Sequence, residues 1–128
     1  GHAFNALYRP MLDRLGLTYP QYLVMRLLWR RDDRTVKEIG QALGLESNTL
    51  TPLMKRLEAL ELVTRRRDAQ DERVVRIGLT GKGRALEADA RDIPRCGAEA
   101  TGLTEAELSD LIGRVNGLRD RIMKNLPE

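Results

Sequence analysis

The first clear pattern of apolar residues at helical spacing begins near residue 18. Thr18 can cap a helix there, Pro20 suits its first turn, and Gln21 can close a capping box. Residues 22–29 are apolar nearly all round, which predicts a central and buried helix. The charged stretch 30–34 is predicted to end it.

Two short helices joined by a glycine turn are predicted next. Thr35 and Glu38 have capping-box spacing, Gly44 stops the first helix, and Ser47 or Asn48 caps the second. The apolar face of the first helix comprises Val36, Ile39, Ala42 and Leu43. The stripe of the second comprises Leu50, Leu53, Met54, Leu57 and Leu60. This arrangement is typical of a helix-turn-helix.

From Leu62 onward the apolar period changes to the alternation of β-strands. The segment 63–67 leads into a polar tip at 68–72, and residues 73–79 return. Val75, Ile77 and Leu79 alternate as the inward positions of a half-buried strand do. The pattern predicts a two-stranded β-hairpin, or wing.

Two further helices are predicted after the hairpin. Thr80 and Gly81 start one that runs to Ile93, where Pro94 should end or kink it. Thr104 and Glu107 form a third capping box for the other. The apolar residues of this helix form a stripe, or seam, that is longer than the core of so small a domain could cover. The stripe therefore predicts a partner helix from a second copy of the chain. The seam comprises Leu108, Leu111, Ile112, Val115, Leu118, Ile122 and Leu126.

These elements predict a mainly α fold with a small β-hairpin. We expect one domain over residues 1–128, with a winged helix-turn-helix core at about 18–80 and dimerisation helices at 3–17 and 81–126. The length of 128 residues and the 4% aromatic content fit one modest core built from aliphatic side chains.

Composition narrows the class of function. The formal net charge is only +3, which by itself does not indicate nucleic-acid binding. Evidence for such binding must come from where the charged residues lie. The single cysteine, Cys96, allows no internal disulfide and fits the cytoplasm. His2 is the sole histidine, so neither a histidine metal site nor a Ser-His-Asp triad is expected. We predict no enzyme, no cofactor, no metal and no membrane span, and interpret Gly1 and His2 as an expression remnant.

The second helix of the helix-turn-helix and the hairpin are predicted to bind double-stranded DNA. Small polar residues at the start of a helix suit the major groove, and hairpin arginines suit the adjacent minor groove. Asp71 is expected to pair with Arg73 and hold it extended. The alternative is a solvated helix face beside a mixed-charge turn. The predicted contacts are Lys37, Ser47, Asn48, Thr49, Thr51, Pro52, Lys55, Arg56, Arg65, Arg66, Arg67, Asp71, Arg73 and Arg76.

The run from Thr35 to Leu79 resembles the winged helix-turn-helix core of the MarR family, and "DAQDERVVRIGLT" is its most specific part. The segments "YRPMLDRLGLTYPQYLVMRLLW", "LTPLMKRLE" and "DIP" are similar to the organic hydroperoxide resistance repressors (OhrR type) of that family. The resemblance implies a homodimeric repressor on a palindromic operator. It also implies release from DNA when an organic hydroperoxide oxidises a cysteine.

The resemblance also assigns a redox site. Tyr8 and Tyr19 match tyrosines whose hydroxyls bond the sensing cysteine's sulfur, although both could simply pack. No cysteine precedes Tyr8, so we expect that sensor to be substituted or to lie outside this sequence. Cys96 matches the region of a resolving cysteine, and neighbouring Arg95 is a cation that favours the thiolate. An incidental thiol is the alternative.

Two other functions stay open at this point. A MarR-like repressor could be released by a small aromatic or phenolic ligand instead of a peroxide. A winged helix could also serve only for protein–protein contact, in which case its DNA affinity would be no better than that of a generic basic protein.

Overall fold

A computed structural model describes residues 2–127 of the chain, and the side chains of residues 6–127. The helices of this range are α1 (His2–Leu15), α2 (Tyr19–Arg30), α3 (Val36–Leu43), α4 (Ser47–Ala59), α5 (Gly81–Ala90), α6 (Ile93–Thr101) and α7 (Glu105–Lys124). The strands are β1 (Arg34–Thr35), β2 (Val63–Arg67) and β3 (Val75–Leu79). The chain forms two compact units, the first ending at Arg91 and the second beginning at Asp92.

The central helix α2 is confirmed, together with its start signal. The backbone N–H of Gln21 donates to Thr18 Oγ1 at 3.3 Å, and that of Thr18 donates to Gln21 Oε1 at 2.9 Å. Val24, Met25 and Leu28 are fully buried. The fully buried side chains of the first unit also include Ile39, Leu50, Met54, Leu57, Val63 and Ile77. The core therefore joins α2, the helix-turn-helix and the wing.

The sheet has three antiparallel strands in the order β1-β3-β2, where the sequence predicted a two-stranded hairpin. The hairpin itself is confirmed, with Arg65 opposite Ile77 and Arg67 opposite Val75. The added strand β1 places Arg34 opposite Ile77 on the other edge of β3. Two residues are too few to show an alternating pattern, so the sequence signal did not reveal this strand.

The helix-turn-helix is confirmed, with local corrections. Thr35 accepts from the N–H of Glu38 at 3.0 Å, but the Glu38 carboxylate pairs with Arg31 at 3.2 Å and does not close a capping box. Ala42 is exposed, contrary to prediction, and Gly40 is buried in its place. A side chain at Gly40 would stand 2.9 Å from the carbonyl oxygen of Leu45, so only glycine fits this close approach.

Two predicted helix ends were wrong, and one residue of the predicted apolar stripe of α4 is exposed. The N-cap of α4 is Glu46, without a side-chain hydrogen bond, so neither Ser47 nor Asn48 caps the helix. Leu60 follows α4 and is 38% exposed. The helix after the wing ends at Ala90, because Pro94 lies in the first turn of the separate helix α6, where a missing N–H costs nothing.

The start of β3 and the end of α7 also differ from prediction. Arg73 lies in the tip of the wing because the Asp71 carboxylate accepts its backbone N–H at 3.0 Å, in an Asx-type turn. The capping box of Thr104 and Glu107 is confirmed in α7. Leu126 lies beyond that helix, which ends at Lys124.

Candidate nucleic-acid interface

The turn between α3 and α4 fixes the direction in which α4 leaves the core. Gly44 adopts the left-handed conformation at φ 67° and ψ 32°, as predicted for a glycine just past a helix end. The N–H of Leu45 returns to the carbonyl of Gly40 at 2.9 Å. This turn lets Leu50, Leu53, Met54 and Leu57 of α4 pack inward.

The opposite face of α4 is exposed, and it is the face predicted to meet DNA. Its exposed residues are Ser47, Asn48, Thr49, Thr51, Pro52, Lys55 and Arg56. Lys37 of α3 is exposed as well. Hydroxyl and amide groups thus occupy the first turn of the helix, and two cations follow one to two turns later.

The first turn of α4 also presents backbone groups. The cap residue Glu46 makes no side-chain hydrogen bond to the helix, so its carboxylate does not occupy the first N–H groups. Pro52 has no N–H and cannot bond to the carbonyl of Asn48 four residues earlier. Backbone N–H groups of the first turn and the carbonyl of Asn48 therefore lie among the polar side chains at this end of the helix.

The three arginines of β2 are exposed and each has a partner. Arg65 Nε lies 3.4 Å from Glu58 Oε1, which links the wing to the end of α4. Arg66 Nη2 lies 2.8 Å from Asp33 Oδ1. Arg67 Nη1 donates to the carbonyl of Glu72 at 3.0 Å across the wing. Exposed pairs of this kind add little stability but restrict where the guanidinium groups point.

Asp32 and Asp33 form an anchor for the wing that the sequence interpretation missed. Asp32 Oδ1 accepts the backbone N–H of Leu79 at 2.8 Å, and its Oδ2 lies 2.8 Å from Arg84 Nη2. Asp33 has φ 60° and brings its carboxylate to Arg66 and, at 3.7 Å, to Arg76. In the sequence, two aspartates next to two arginines are typical of a solvated turn. No local pattern indicates that the aspartates contact residues more than 30 positions away.

Arg76 is the most enclosed of the wing arginines. Its Nε lies 2.7 Å from Asp68 Oδ2, and its side chain is 31% exposed. The hydrogen bond from Arg76, followed by the backbone N–H of Gln70, lowers the pKa of Asp68. The pair ties the tip of the wing to the sheet beneath it.

Arg73 lies at the tip of the wing and is exposed to solvent. Its Nε and Nη2 lie 3.1 and 3.3 Å from the two carboxylate oxygens of Asp71, so the predicted pairing of these residues is confirmed. The side chain is nevertheless 90% exposed. Hydrogen bonds from the Arg73 side chain and backbone lower the pKa of Asp71, which keeps it ionised. Asp71 thus orients this arginine without covering it.

We expect the tip of the wing to loosen in acid. The pKa of Asp68 is lower in the folded chain than in the unfolded chain, so its contribution to stability is present above the ordinary carboxyl pKa and is lost as pH falls through the lowered value. A carbon-detected NMR titration of the carboxyl group should give a midpoint below the ordinary one. In Asp68→Asn the Arg76 Nε–H signal should lose this acid transition; a normal or raised Asp68 midpoint would contradict the pairing.

The predicted redox residues fall into separate units of the chain. In the first unit, Tyr8 and Tyr19 have ring centroids 5.5 Å apart. Partial burial, followed by the neighbouring Tyr19, raises the pKa of the Tyr8 hydroxyl. In the second, Cys96 is half-buried in α6. Arg95 lies 3.3 Å from Asp92 and 3.9 Å from Glu99, so its charge is already shared with two carboxylates.

Comparison with known proteins agrees with this architecture. The profile of the transcriptional regulator SarA/Rot family matches residues 6–89, two thirds of the chain. The chain belongs to this family. Its members have the winged-helix fold of MarR-type regulators, so the resemblance to the MarR family that the wing sequence indicated is confirmed.

Individual relatives of this SarA/Rot-family chain are regulators. It is 47% identical over 121 residues to the HTH-type transcriptional regulator TtmR of Methylorubrum extorquens, covering 94% of the chain and 62% of TtmR. It is 52% identical over 87 residues to the organic hydroperoxide resistance transcriptional regulator of Bacillus subtilis, covering 68% of the chain and 59% of that protein. The chain thus spans about three fifths of the length of each.

A solved structure of high similarity is that of reduced AbfR bound to DNA. The TM-score is 0.77 at 32% identity, covering 95% of this chain and 85% of AbfR. AbfR has also been solved with a disulfide formed. Along residues 2–127 of the present chain, no helix combines the length and apolar character needed to cross a membrane.

Proposed function

We propose that this chain is a dimeric repressor that binds a palindromic operator in double-stranded DNA. The observation that carries the proposal is the exposed polar face of α4 beside a wing whose tip arginine is 90% exposed. AbfR, a structural relative, is seen bound to DNA. We also infer that the chain acts in the cytoplasm and has no catalytic activity of its own.

In the proposed complex, α4 enters the major groove by its first turn. Ser47, Asn48 and Thr49 reach base edges or phosphates, and Lys55 and Arg56 neutralise the flanking backbone. Arg73 enters the adjacent minor groove, whose narrow A·T-rich stretches attract arginine. Of the other wing arginines, Arg65, Arg66 and Arg76 are held by carboxylates and Arg67 by a backbone carbonyl. They serve to position the hairpin or to contact phosphate.

Selection from a random duplex library tests the proposal. The full chain should enrich sequences that contain inverted repeats, with half-sites about one helical turn apart. Affinity for the enriched duplex should fall steeply as salt concentration rises and should exceed that for a scrambled duplex by roughly 1,000-fold or more. A pool that stays random would favour a winged helix used for protein contact.

The dimer is proposed to form through the apolar face of α7. Five of its residues, Leu111, Ile112, Val115, Leu118 and Ile122, are between 46% and 57% exposed in the single chain. A soluble helix seldom leaves such a continuous stripe in water, since burial contributes about 25 cal/mol per Å² of apolar surface. A second copy would remove the stripe from solvent.

We predict that Val115→Asp dissociates the dimer. A carboxylate in the middle of the apolar stripe would be buried without a partner, so the dimer dissociation constant should rise roughly tenfold or more, as analytical ultracentrifugation can measure. Asn116→Asp makes a similar charge change at the next, exposed position and should leave the constant nearly unchanged. Equal effects of both variants would argue that α7 does not form the interface.

Release from the operator is proposed to follow oxidation of cysteine by an organic hydroperoxide. The Bacillus subtilis relative is an organic hydroperoxide resistance regulator. Cys96 matches a resolving cysteine by its region, but it is the one thiol of this sequence, so we assign the oxidation to it. The Cys96 thiol would attack the terminal peroxide oxygen, which breaks the O–O bond and yields a sulfenic acid and an alcohol.

Cumene hydroperoxide should therefore weaken operator binding by the wild-type chain, and dithiothreitol should restore it. Cys96→Ser should bind the operator as well as the wild type but should not respond. Fluorescence anisotropy on one labelled duplex measures both. A Cys96→Ser chain that responds like the wild type, or a wild type released only by a phenolic ligand, would overturn peroxide sensing at this residue.

A further inference from the structure

Two arginines of the sheet stand directly opposite each other. Arg66 of β2 is the register partner of Arg76 in β3. Like charges at opposed positions of neighbouring strands repel each other, so such a pair needs an anion close by. Arg76 has one within the wing, since its Nε lies 2.7 Å from Asp68 Oδ2. The anion beside Arg66 comes from outside the wing, from the turn that precedes β1.

That anion is Asp33. Its Oδ1 accepts hydrogen bonds from Nη1 and Nη2 of Arg66, at 3.1 and 2.8 Å. The same oxygen lies 3.7 Å from Nη1 of Arg76. Three guanidinium nitrogens therefore converge on one carboxylate oxygen. Guanidinium groups bind the oxygens of a DNA phosphate with the same donors. Asp33 Oδ1 thus occupies a place that a phosphate oxygen could take.

The backbone holds Asp33 in this place, while the ion pair itself stays open to solvent. Asp33 has φ 60°, and its N–H donates to Asp32 Oδ1 at 2.7 Å. The side chain of Asp33 is 47% exposed and that of Arg66 is 54% exposed. Because an exposed ion pair contributes little to stability, a phosphate that reaches Arg66 can replace the carboxylate at small cost.

We propose that Asp33 limits the affinity of this chain for DNA of any sequence, by competing with phosphate for Arg66. The proposal rests on the DNA binding proposed above and adds a residue that weakens it. Each arginine that neutralises a phosphate releases counterions and so strengthens binding whatever the base sequence. Asp33 keeps one such arginine of each wing from phosphate. A repressor that must leave the many competing sites of a genome benefits from this limit.

Binding of Asp33→Asn to a scrambled duplex tests the proposal. Asparagine tolerates the left-handed conformation, so the change removes the charge without straining the turn. Affinity at low salt should rise roughly threefold or more, and the slope of log affinity against log salt should steepen by up to about 2 per dimer. Fluorescence anisotropy at several salt concentrations measures both. Asp33→Gly, which suits the same backbone, should behave alike.

Arg66→Gln completes a double-mutant cycle with Asp33→Asn. In the wild type, Asp33 already neutralises the guanidinium, so Arg66→Gln alone should change affinity for the scrambled duplex by less than about twofold. In the Asp33→Asn background, the same change should cancel the gain in affinity. Asp13→Asn is the matched control, because it removes an exposed carboxylate of α1 and should leave the salt slope nearly unchanged.

Weaker or unchanged binding by folded Asp33→Asn would mean that Asp33 only supports the sheet, and the proposal would be wrong. A gain that survives Arg66→Gln, or an equal gain from Asp13→Asn, would overturn it too, since net charge alone would then explain the effect. A wild-type chain that binds DNA but prefers no sequence would overturn the repressor, while the cycle on the scrambled duplex still decides the role of Asp33. A chain without affinity for any duplex would overturn both.

Discussion

Replacing Gly83 with alanine is expected to lower the free energy of unfolding by about 3 kcal/mol or more, because it overpacks a backbone contact. The new Cβ would overlap the carbonyl oxygen of Leu62 and lie 3.0 Å from its carbonyl carbon. Both neighbours are main-chain atoms, so no side-chain rotation can relieve the overlap. Either α5 or β2 would have to move.

Two hydrogen bonds resist that movement. The N–H of Gly83 donates to Thr80 Oγ1 at 2.9 Å, and its carbonyl accepts Trp29 Nε1 at 2.9 Å. A shift of α5 would therefore disturb the cap of this helix and its contact with α2.

Gly81→Ala is the matched control in the same helix. A Cβ there meets nothing within 4 Å, so stability should change by no more than about 0.5 kcal/mol. Urea unfolding of both variants measures the difference. Equal midpoints for the two would contradict the close packing of α5 on the residue that precedes β2.

Arg73→Ala is expected to produce the largest loss of operator affinity. A guanidinium that contacts base edges or a narrow minor groove contributes about 1–3 kcal/mol, and a dimer carries two wings, so the loss could reach about 6 kcal/mol. The wild-type side chain is 90% exposed and its partner Asp71 is in the adjoining turn, so folding should be unaffected.

Arg14→Ala makes the same charge change on the exposed surface of α1, outside the helix-turn-helix and the wing. It should change affinity by no more than about 0.5 kcal/mol. Anisotropy titrations on the selected duplex measure both variants, with circular dichroism as the check on folding. A loss below half a kilocalorie for Arg73→Ala would contradict the role assigned to the wing.

Local signals predicted α2, α3, α4, α7 and the hairpin correctly, but not the separate helix α6. Thr18 with Gln21, Thr104 with Glu107, and Gly44 are each decided by residues within one turn, and all three were confirmed. The prediction for Ala42 was wrong because burial on α3 depends on the neighbouring helix. The cap of α4 was also wrong, since Glu46 holds that position without a side-chain hydrogen bond. The close approach at Gly40 decides which face of α3 is covered.

Features set by contacts far apart in the chain could not be predicted. β1 exists because Arg34 and Thr35 pair with a strand about 40 residues later. Asp33 reads as part of a charged turn until its contacts with Arg66 and Arg76 are seen. The exposed polar face of α4 was predictable, since a single apolar stripe already divides the helix into two faces.

A hydroxyl-radical and dimethyl sulfate footprint on the selected duplex tests most directly whether α4 and the wing occupy adjacent grooves. The wild-type chain should protect guanines in the major groove of each half-site and sugars along the flanking minor groove. Arg73→Ala, at a concentration that saturates the duplex, should keep the first protection and lose the second. Identical footprints for the two chains, or protection without any groove pattern, would contradict the proposed mode of binding.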